Sequence, residues 1–317
     1  MNTTKIFKLL FFVLLFTSCS KDDEYRPVVN EYEGVKVYIA PYYNNKTSCI
    51  TLTFDDGTYD QYANAVPKLE ERKLPATFFI NGKTVGPITS PYDNHMDERC
   101  VKDLSDRGFE VSNHTWSHTK LTTISLAEAR KDIIKNDDAI EAWTGKRPKT
   151  FSFPNNARTE ALIKIAEEGR TGSRTFEMGF GQTLRKNTYN DLKNWTDNCI
   201  KKKNWSVGMF HGIKQGYDSW TDPTILWRFF DYLVSRQNEI WVANFNDAVS
   251  YIKERDNSKL QLYSNKAGTL KIMVSTNLDT NLFTHPLTLV VEKKGVVELV
   301  NVLPNKSVEL PGKLSVR

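Results

Sequence analysis

Histidine is scarce in this chain, with five residues in 317. Cysteine is scarcer still, and the spacings of Cys19, Cys49, Cys100 and Cys199 match no zinc-finger pattern. The net charge of +5 is spread along the sequence with no long basic block, so no nucleic-acid partner is expected. The apolar run Leu9–Phe16 is too short to span a bilayer. The last sixty or so residues lack any helix signal. What is present is a globular composition: 39% hydrophobic and 26% charged residues, enough for a large domain plus a small one. Aromatics reach 12%, which keeps carbohydrate in view as a partner, because sugar C–H faces stack on aromatic rings.

The most informative stretch is Ser48 to Gly57. Ile50, Leu52 and Phe54 alternate with Thr51 and Thr53, the period of a strand. Two carboxylates, Asp55 and Asp56, then arrive together before Gly57 turns the chain. A strand that delivers acids to its C-terminal end is a common way to build a site on an α/β scaffold. Strand and helix signals alternate about seven times between residues 35 and 255. Ser125 and Glu128 form a capping box at one helix start, and Asp222 with Pro223 marks another. This rhythm predicts a parallel sheet covered by helices, as a barrel or an open sheet. Residues 258–317 read instead as short strands parted by polar turns, a small all-β sandwich-like module.

Three of the five histidines stand at predicted strand ends: His114 and His118 after Phe109–Ser112, and His211 after Trp205. Positions 114 and 118 share a face in a helix and in an extended segment, so HxxxH is a usable metal pair in either geometry. Two imidazoles and a carboxylate form a common zinc set with positions left for water and substrate, and Asp56 is a reasonable third ligand.

The order TFDDG, HTWSH, MFHG, together with Ala76-Thr77-Phe78-Phe79 and Trp241-Val242-Ala243, resembles the polysaccharide deacetylase family, the NodB-homology domain of carbohydrate esterase family 4. The resemblance spans about residues 45 to 255. It implies a distorted (β/α)7 barrel and removal of acetyl groups, mostly from N-acetylated sugars. By position it implies Asp55 as general base, Asp56, His114 and His118 as ligands of one divalent metal, and His211 as general acid. The metal it implies is zinc, with cobalt, nickel or manganese as alternatives.

Two segments depart from the family pattern. In Phe151-Ser152-Phe153-Pro154-Asn155, Ser152 replaces an arginine that pairs with the base, and Asn155 stands at an oxyanion position. Arg174, at the end of the next strand, is a candidate for the missing charge. In Asp191-Leu192-Lys193-Asn194-Trp195, Asn194 replaces an aspartate that orients the acid histidine, leaving Asp191 as the candidate orienter and Trp195 as a candidate pocket residue. The resulting expectation is a metal-dependent deacetylase acting on an acetylated glycan. The alternative is a weakened, glycan-binding domain.

At the N-terminus, Lys5, Lys8, Leu9–Phe16 and Phe16-Thr17-Ser18-Cys19 resemble a bacterial lipoprotein signal. The acidic stretch after Cys19 resembles an export tag for the outer face of the outer membrane. The expected organisation is a signal with lipidated Cys19 over 1–19, a tether over 20–32, the deacetylase domain over 33–256 and the β-module over 258–317. Outer-membrane lipid is the expected anchor, and no protein partner is expected.

Overall fold

The computed structural model describes residues 25–88, 95–264 and 269–310. Cys19, the lipoprotein signal and the first residues of the expected tether lie outside the described residues. Strands β1 (Asn30–Tyr32), β2 (Val35–Ile39) and β3 (Ser48–Asp56) come first. A π-helical turn, Gln61–Ala65, then leads into α1 (Val66–Glu71), with Pro67 in its first turn. The alternation continues through β4 (Thr77–Ile80), α2 (Glu98–Asp106), β5 (Glu110–Asn113), α3 (Leu126–Thr144), β6 (Thr150–Ser152), α4 (Glu160–Ala166), β7 (Gly172–Arg174) and β8 (Met178–Gly179). It closes with α5 (Tyr189–Lys202), β9 (Trp205–Phe210), α6 (Thr224–Ser235), β10 (Ile240–Ala243) and α7 (Phe245–Asn257).

These middle strands form one parallel sheet in the order β7-β6-β5-β4-β3-β9-β8, with β10 added against β3. The seven strands of that order curl into a half-barrel, the distorted (β/α)7 arrangement that the family resemblance implied, with β10 as an eighth strand beside β3. The central strand β3 is long enough to serve three neighbours. Its first half pairs with β10, its second half with β4, and β9 runs along its other edge. Both faces of β3 are buried, as in parallel sheets covered by helices. Phe54 stacks between Phe78 and Phe210 at 5.0 and 5.3 Å, in the main core. Thr51 and Thr53 stay off the solvent by bonding: Trp205 Nε1 donates to Thr51 Oγ1 at 2.9 Å, and Thr53 Oγ1 donates to the Gly208 carbonyl at 2.9 Å.

The capping box at Ser125 is present and starts α3. At α6 the first helical residue is Thr224 rather than Pro223, and the Asp222 carboxylate accepts from the Thr224 N–H and hydroxyl. Cys49, Cys100 and Cys199 are free and buried.

The all-β region contains β11 (Ser258–Ser264), β12 (Leu270–Thr276), β13 (Leu287–Lys293), β14 (Val296–Val302) and β15 (Ser307–Leu310). It forms two antiparallel sheets, β1-β2-β13-β14 and β11-β12-β15, around Val37, Ile39, Ile272, Val274, Leu289 and Val291. Here the expected boundaries need correction. Residues 30–32 are a strand rather than tether, and β2 pairs with β13, with Ile39 opposite Leu289, instead of joining the barrel. The physical reason lies in β2 itself. Val35, Val37 and Ile39 bury one face while Lys36 is exposed, the pattern of an antiparallel strand with one wet side. Tyr251 of α7 donates to the Ala40 carbonyl at 2.9 Å and ties this region to the half-barrel.

Candidate active site

The C-terminal ends of β3, β5 and β9 converge on one cavity of about 520 Å³. Asp55 ends the buried part of β3 and is 2% exposed. Arg174 grips it from β7: Nη1 donates to Oδ1 at 2.7 Å and Nη2 to Oδ2 at 2.5 Å. Arg174 Nη1 also donates to Thr53 Oγ1 at 2.7 Å. Burial raises the Asp55 pKa, but the charges of Arg174, His114 and His211 more than reverse this and hold it below the ordinary value. Asp55 is therefore a carboxylate at neutral pH, fixed on one side by a guanidinium.

Asp56 follows with φ 76, a left-handed conformation uncommon for a residue other than glycine. That turn swings its carboxylate away from Asp55 and towards the histidines. Asp56 Oδ1 lies 3.5 Å from His114 Nε2 and 3.1 Å from His118 Nε2. His118 and Thr115 also sit at positive φ, and the Asn113 side chain accepts the Thr115 N–H at 2.7 Å to hold this turn. His114 is buried, with Nδ1 2.9 Å from the Ser152 carbonyl, so its Nε2 is the atom left facing Asp56. Burial opposes ionisation of Asp56, and its contacts with His114 and His118 drive its pKa far below the ordinary range. Contact with Asp56 in turn raises the His118 pKa.

These groups fit a metal ion. One ligand atom each from Asp56, His114 and His118 lies within 4.8 Å of the others. Asp56 Oδ1 is buried yet receives no hydrogen bond, an orphaned acceptor that a cation satisfies. The His114 second contact to Ser152 is the outer support that metal-binding imidazoles have.

His211 completes the ring. Its Nε2 is 3.9 Å from Asp56 Oδ2, and its ring meets Tyr217 edge to face at 5.0 Å. Burial lowers the His211 pKa, against the opposing pull of Asp55 and Asp56. Its Nδ1 is buried without a hydrogen-bond partner. Asn155 lines the same cavity with φ 56.

Residues 42–170 match the polysaccharide deacetylase family. A peptidoglycan-N-acetylmuramic acid deacetylase of Bacillus subtilis is 39% identical over 114 residues, 36% of this chain and 22% of that protein. A peptidoglycan-N-acetylglucosamine deacetylase of Bacillus cereus is 32% identical over 125 residues, 39% of this chain and 54% of that protein. The chain thus spans about half or less of the length of the curated relatives it matches. In fold, it is similar to the crystal structure of the carbohydrate esterase family 4 domain of a multidomain xylanase from a termite hindgut metagenome, with a TM-score of 0.51 and 18% identity over 65% of this chain and 91% of that one. Family match and relatives together support a polysaccharide deacetylase domain. The matched stretch holds Asp55, Asp56, His114, His118 and Asn155; Arg174 and His211 lie beyond it and are placed by the fold.

Two sequence candidates do not join this cavity. Asp191 belongs to a capping box: its carboxylate accepts from the Thr188 N–H at 2.7 Å and hydroxyl at 2.8 Å, and it does not orient His211. The Thr-x-x-Asp spacing satisfies a helix start before it can serve anything else. Trp195 packs edge-on against Phe180 at 5.1 Å and lines a separate groove beside β8 and α5. Sequence reasoning missed Arg185, Asn156 and Tyr217, which also line the cavity. All three come from irregular segments, where no periodic signal marks a side chain as inward.

Proposed function

We propose that the chain is a metal-dependent deacetylase acting on an acetylated glycan, with N-acetylated amino sugars as the first class to test. The observation that carries this reading is the convergence of an arginine-held Asp55, the Asp56–His114–His118 set and His211 in one cavity. Asp56, His114 and His118 would hold a divalent ion, zinc being the natural occupant of a carboxylate with two imidazoles. Such an ion supplies Lewis acidity towards the acetyl carbonyl and favours ionisation of water near neutral pH. Asp55 accepts the proton of the attacking water, and Arg174 holds the carboxylate in place throughout. The Asn155 backbone N–H is the candidate donor to the carbonyl oxygen as charge develops there. His211 delivers a proton to the departing sugar nitrogen or oxygen.

One observation favours a second reading, a weakened domain that binds glycans. His211 Nδ1 has no partner to steady an imidazolium, and burial lowers its pKa. Acetate release separates the two. The zinc-loaded chain is offered N-acetylhexosamine oligomers and acetylated xylan, beside Asp55→Asn. Release abolished by both chelator and Asp55→Asn supports the deacetylase; glycan binding without release on any substrate supports the second reading.

We further propose, from Lys5, Lys8, Leu9–Phe16 and Cys19, that the protein is a lipid-anchored outer-membrane protein. Metabolic labelling with a clickable fatty acid, lost in Cys19→Ser, tests it.

A further inference from the structure

Arg185 faces the catalytic cavity, and no step above uses it. Its position is built. Nη1 pairs with Asp218, whose side chain is completely buried. Asp218 Oδ1 also accepts the N–H groups of Leu184 at 2.8 Å and Arg185 at 3.2 Å. A single buried carboxylate therefore fixes both the backbone and the side chain of Arg185. Two glycines leave the room this requires. A Cβ on Gly179 would stand 2.6 Å from Arg185 Nε and 2.7 Å from Nη2, and a Cβ on Gly181 would stand 2.1 Å from Asp218 Cγ. Gly179 pairs with Met209, two residues before His211, so the guanidinium is held beside the strand end that carries the proposed acid.

Among the described residues, Nε and Nη2 of Arg185 carry no hydrogen bond from the protein. These two parallel donors match the two oxygens of a carboxylate. The cavity offers them none: Asp55 is occupied by Arg174, and Asp56 is turned to the histidines. We propose that Arg185 is a specificity residue that binds a carboxylate on the acetylated saccharide, so that the preferred substrate class is acidic. This rests on the deacetylase reading of the same cavity. The carboxylate comes either from a neighbouring uronic acid residue or from a carboxyalkyl ether on the amino sugar itself.

The test compares the metal-loaded full chain with Arg185→Gln, Arg185→Lys and Asp218→Asn. Three substrates are used: neutral N-acetylglucosamine oligomers, oligomers alternating with a uronic acid, and oligomers carrying a lactyl ether. The wild type is expected to favour one acidic class over the neutral one by tenfold or more in kcat/KM. Arg185→Gln collapses that ratio towards one through KM, Arg185→Lys restores it only in part because it lacks the fork, and Asp218→Asn lowers it. Which acidic substrate is favoured identifies the source of the carboxylate. A ratio that Arg185→Gln leaves unchanged, or a wild-type preference for the neutral oligomer, overturns the proposal. If no substrate releases acetate, the deacetylase reading fails, and calorimetric binding of the same oligomers decides the role of Arg185. Acid-selective binding lost in Arg185→Gln supports it; equal or absent binding overturns it. Thermal melts of each variant identify any that fail to fold.

Discussion

Arg174 closes two hydrogen bonds on Asp55 although 119 residues separate them and their strands are not paired in the sheet. The guanidinium reaches Asp55 from β7, and both side chains are almost wholly buried. Removing one member of such a pair strands the other charge in a low-dielectric interior, which costs about 3–5 kcal/mol. Arg174→Met is therefore expected to lose about that much stability in urea unfolding. Adding Asp55→Asn to it should recover part of the loss, because Asp55 is then no longer an uncompensated charge, while Glu177, 3.6 Å from Arg174 Nε, still lacks its guanidinium. Equal stability of the single and double variants would show that the pair is not coupled in this way.

The cluster of Asp56, His114 and His118 makes the fold sensitive to metal. Asp56 Oδ1 is a buried acceptor without a donor, and its carboxylate is held ionised next to two imidazoles. A ligand that binds only the folded state at 100 times its Kd adds about 2.7 kcal/mol of stability. Zinc titration is expected to raise Tm, and chelator to lower it again. In His114→Ala and His118→Ala the zinc-dependent part of the shift should shrink sharply. A Tm rise of full size in both variants would place the ion elsewhere.

How much of this was readable in the sequence depends on where each side chain sits. Asp55, Asp56, His114, His118 and His211 stand at or just beyond strand ends, and a parallel α/β fold gathers those ends at one rim. Arg174 was readable for the same reason, as a charge closing β7. Asp191 misled because a helix start claims it, and Trp195 because an aromatic at helical spacing serves the packing against Phe180 and Phe229. Arg185 and Tyr217 depend on the fit between two irregular loops, for which no local pattern exists. The pairing of β2 with β13 joins segments about 250 residues apart, and periodicity within either strand carries no record of its partner.

Glu254 supplies a pH dependence away from the cavity that holds Asp55 and His211. It is buried at the seam between α7 and the all-β region, where Oε1 accepts the His285 N–H at 3.0 Å and Oε2 has no donor. Burial, with a smaller push from Asp247, raises its pKa from 4.5 to about 8. The folded state then binds more protons than the unfolded state between those values. The contribution to stability is complete below about pH 4.5 and is lost as pH rises towards about 8. Relative to Glu254→Gln, the wild type is expected to lose on the order of 2 kcal/mol between pH 5.5 and 8.5 in urea unfolding. Parallel pH profiles for the two proteins would refute the assignment.

His211 and Asp191 give the sharpest contrast for the proposed chemistry. His211 faces the cavity with Nε2 towards Asp56 and, at the end of β9, is the group proposed to hand a proton to the leaving group. General acids of this kind contribute about 10²–10⁴-fold to rate. His211→Asn is expected to lower kcat by that factor while leaving the zinc-dependent Tm shift intact, since His211 is outside the ligand set. Asp191→Ala touches only the start of α5, so it should cost ~1 kcal/mol or less of stability and leave kcat and its pH profile unmoved. If Asp191→Ala shifts the pH profile of kcat, the helix cap is not its whole role. If His211→Asn leaves kcat unchanged, proton delivery falls to another group, and the unpartnered Nδ1 marks a histidine that no longer serves as the acid.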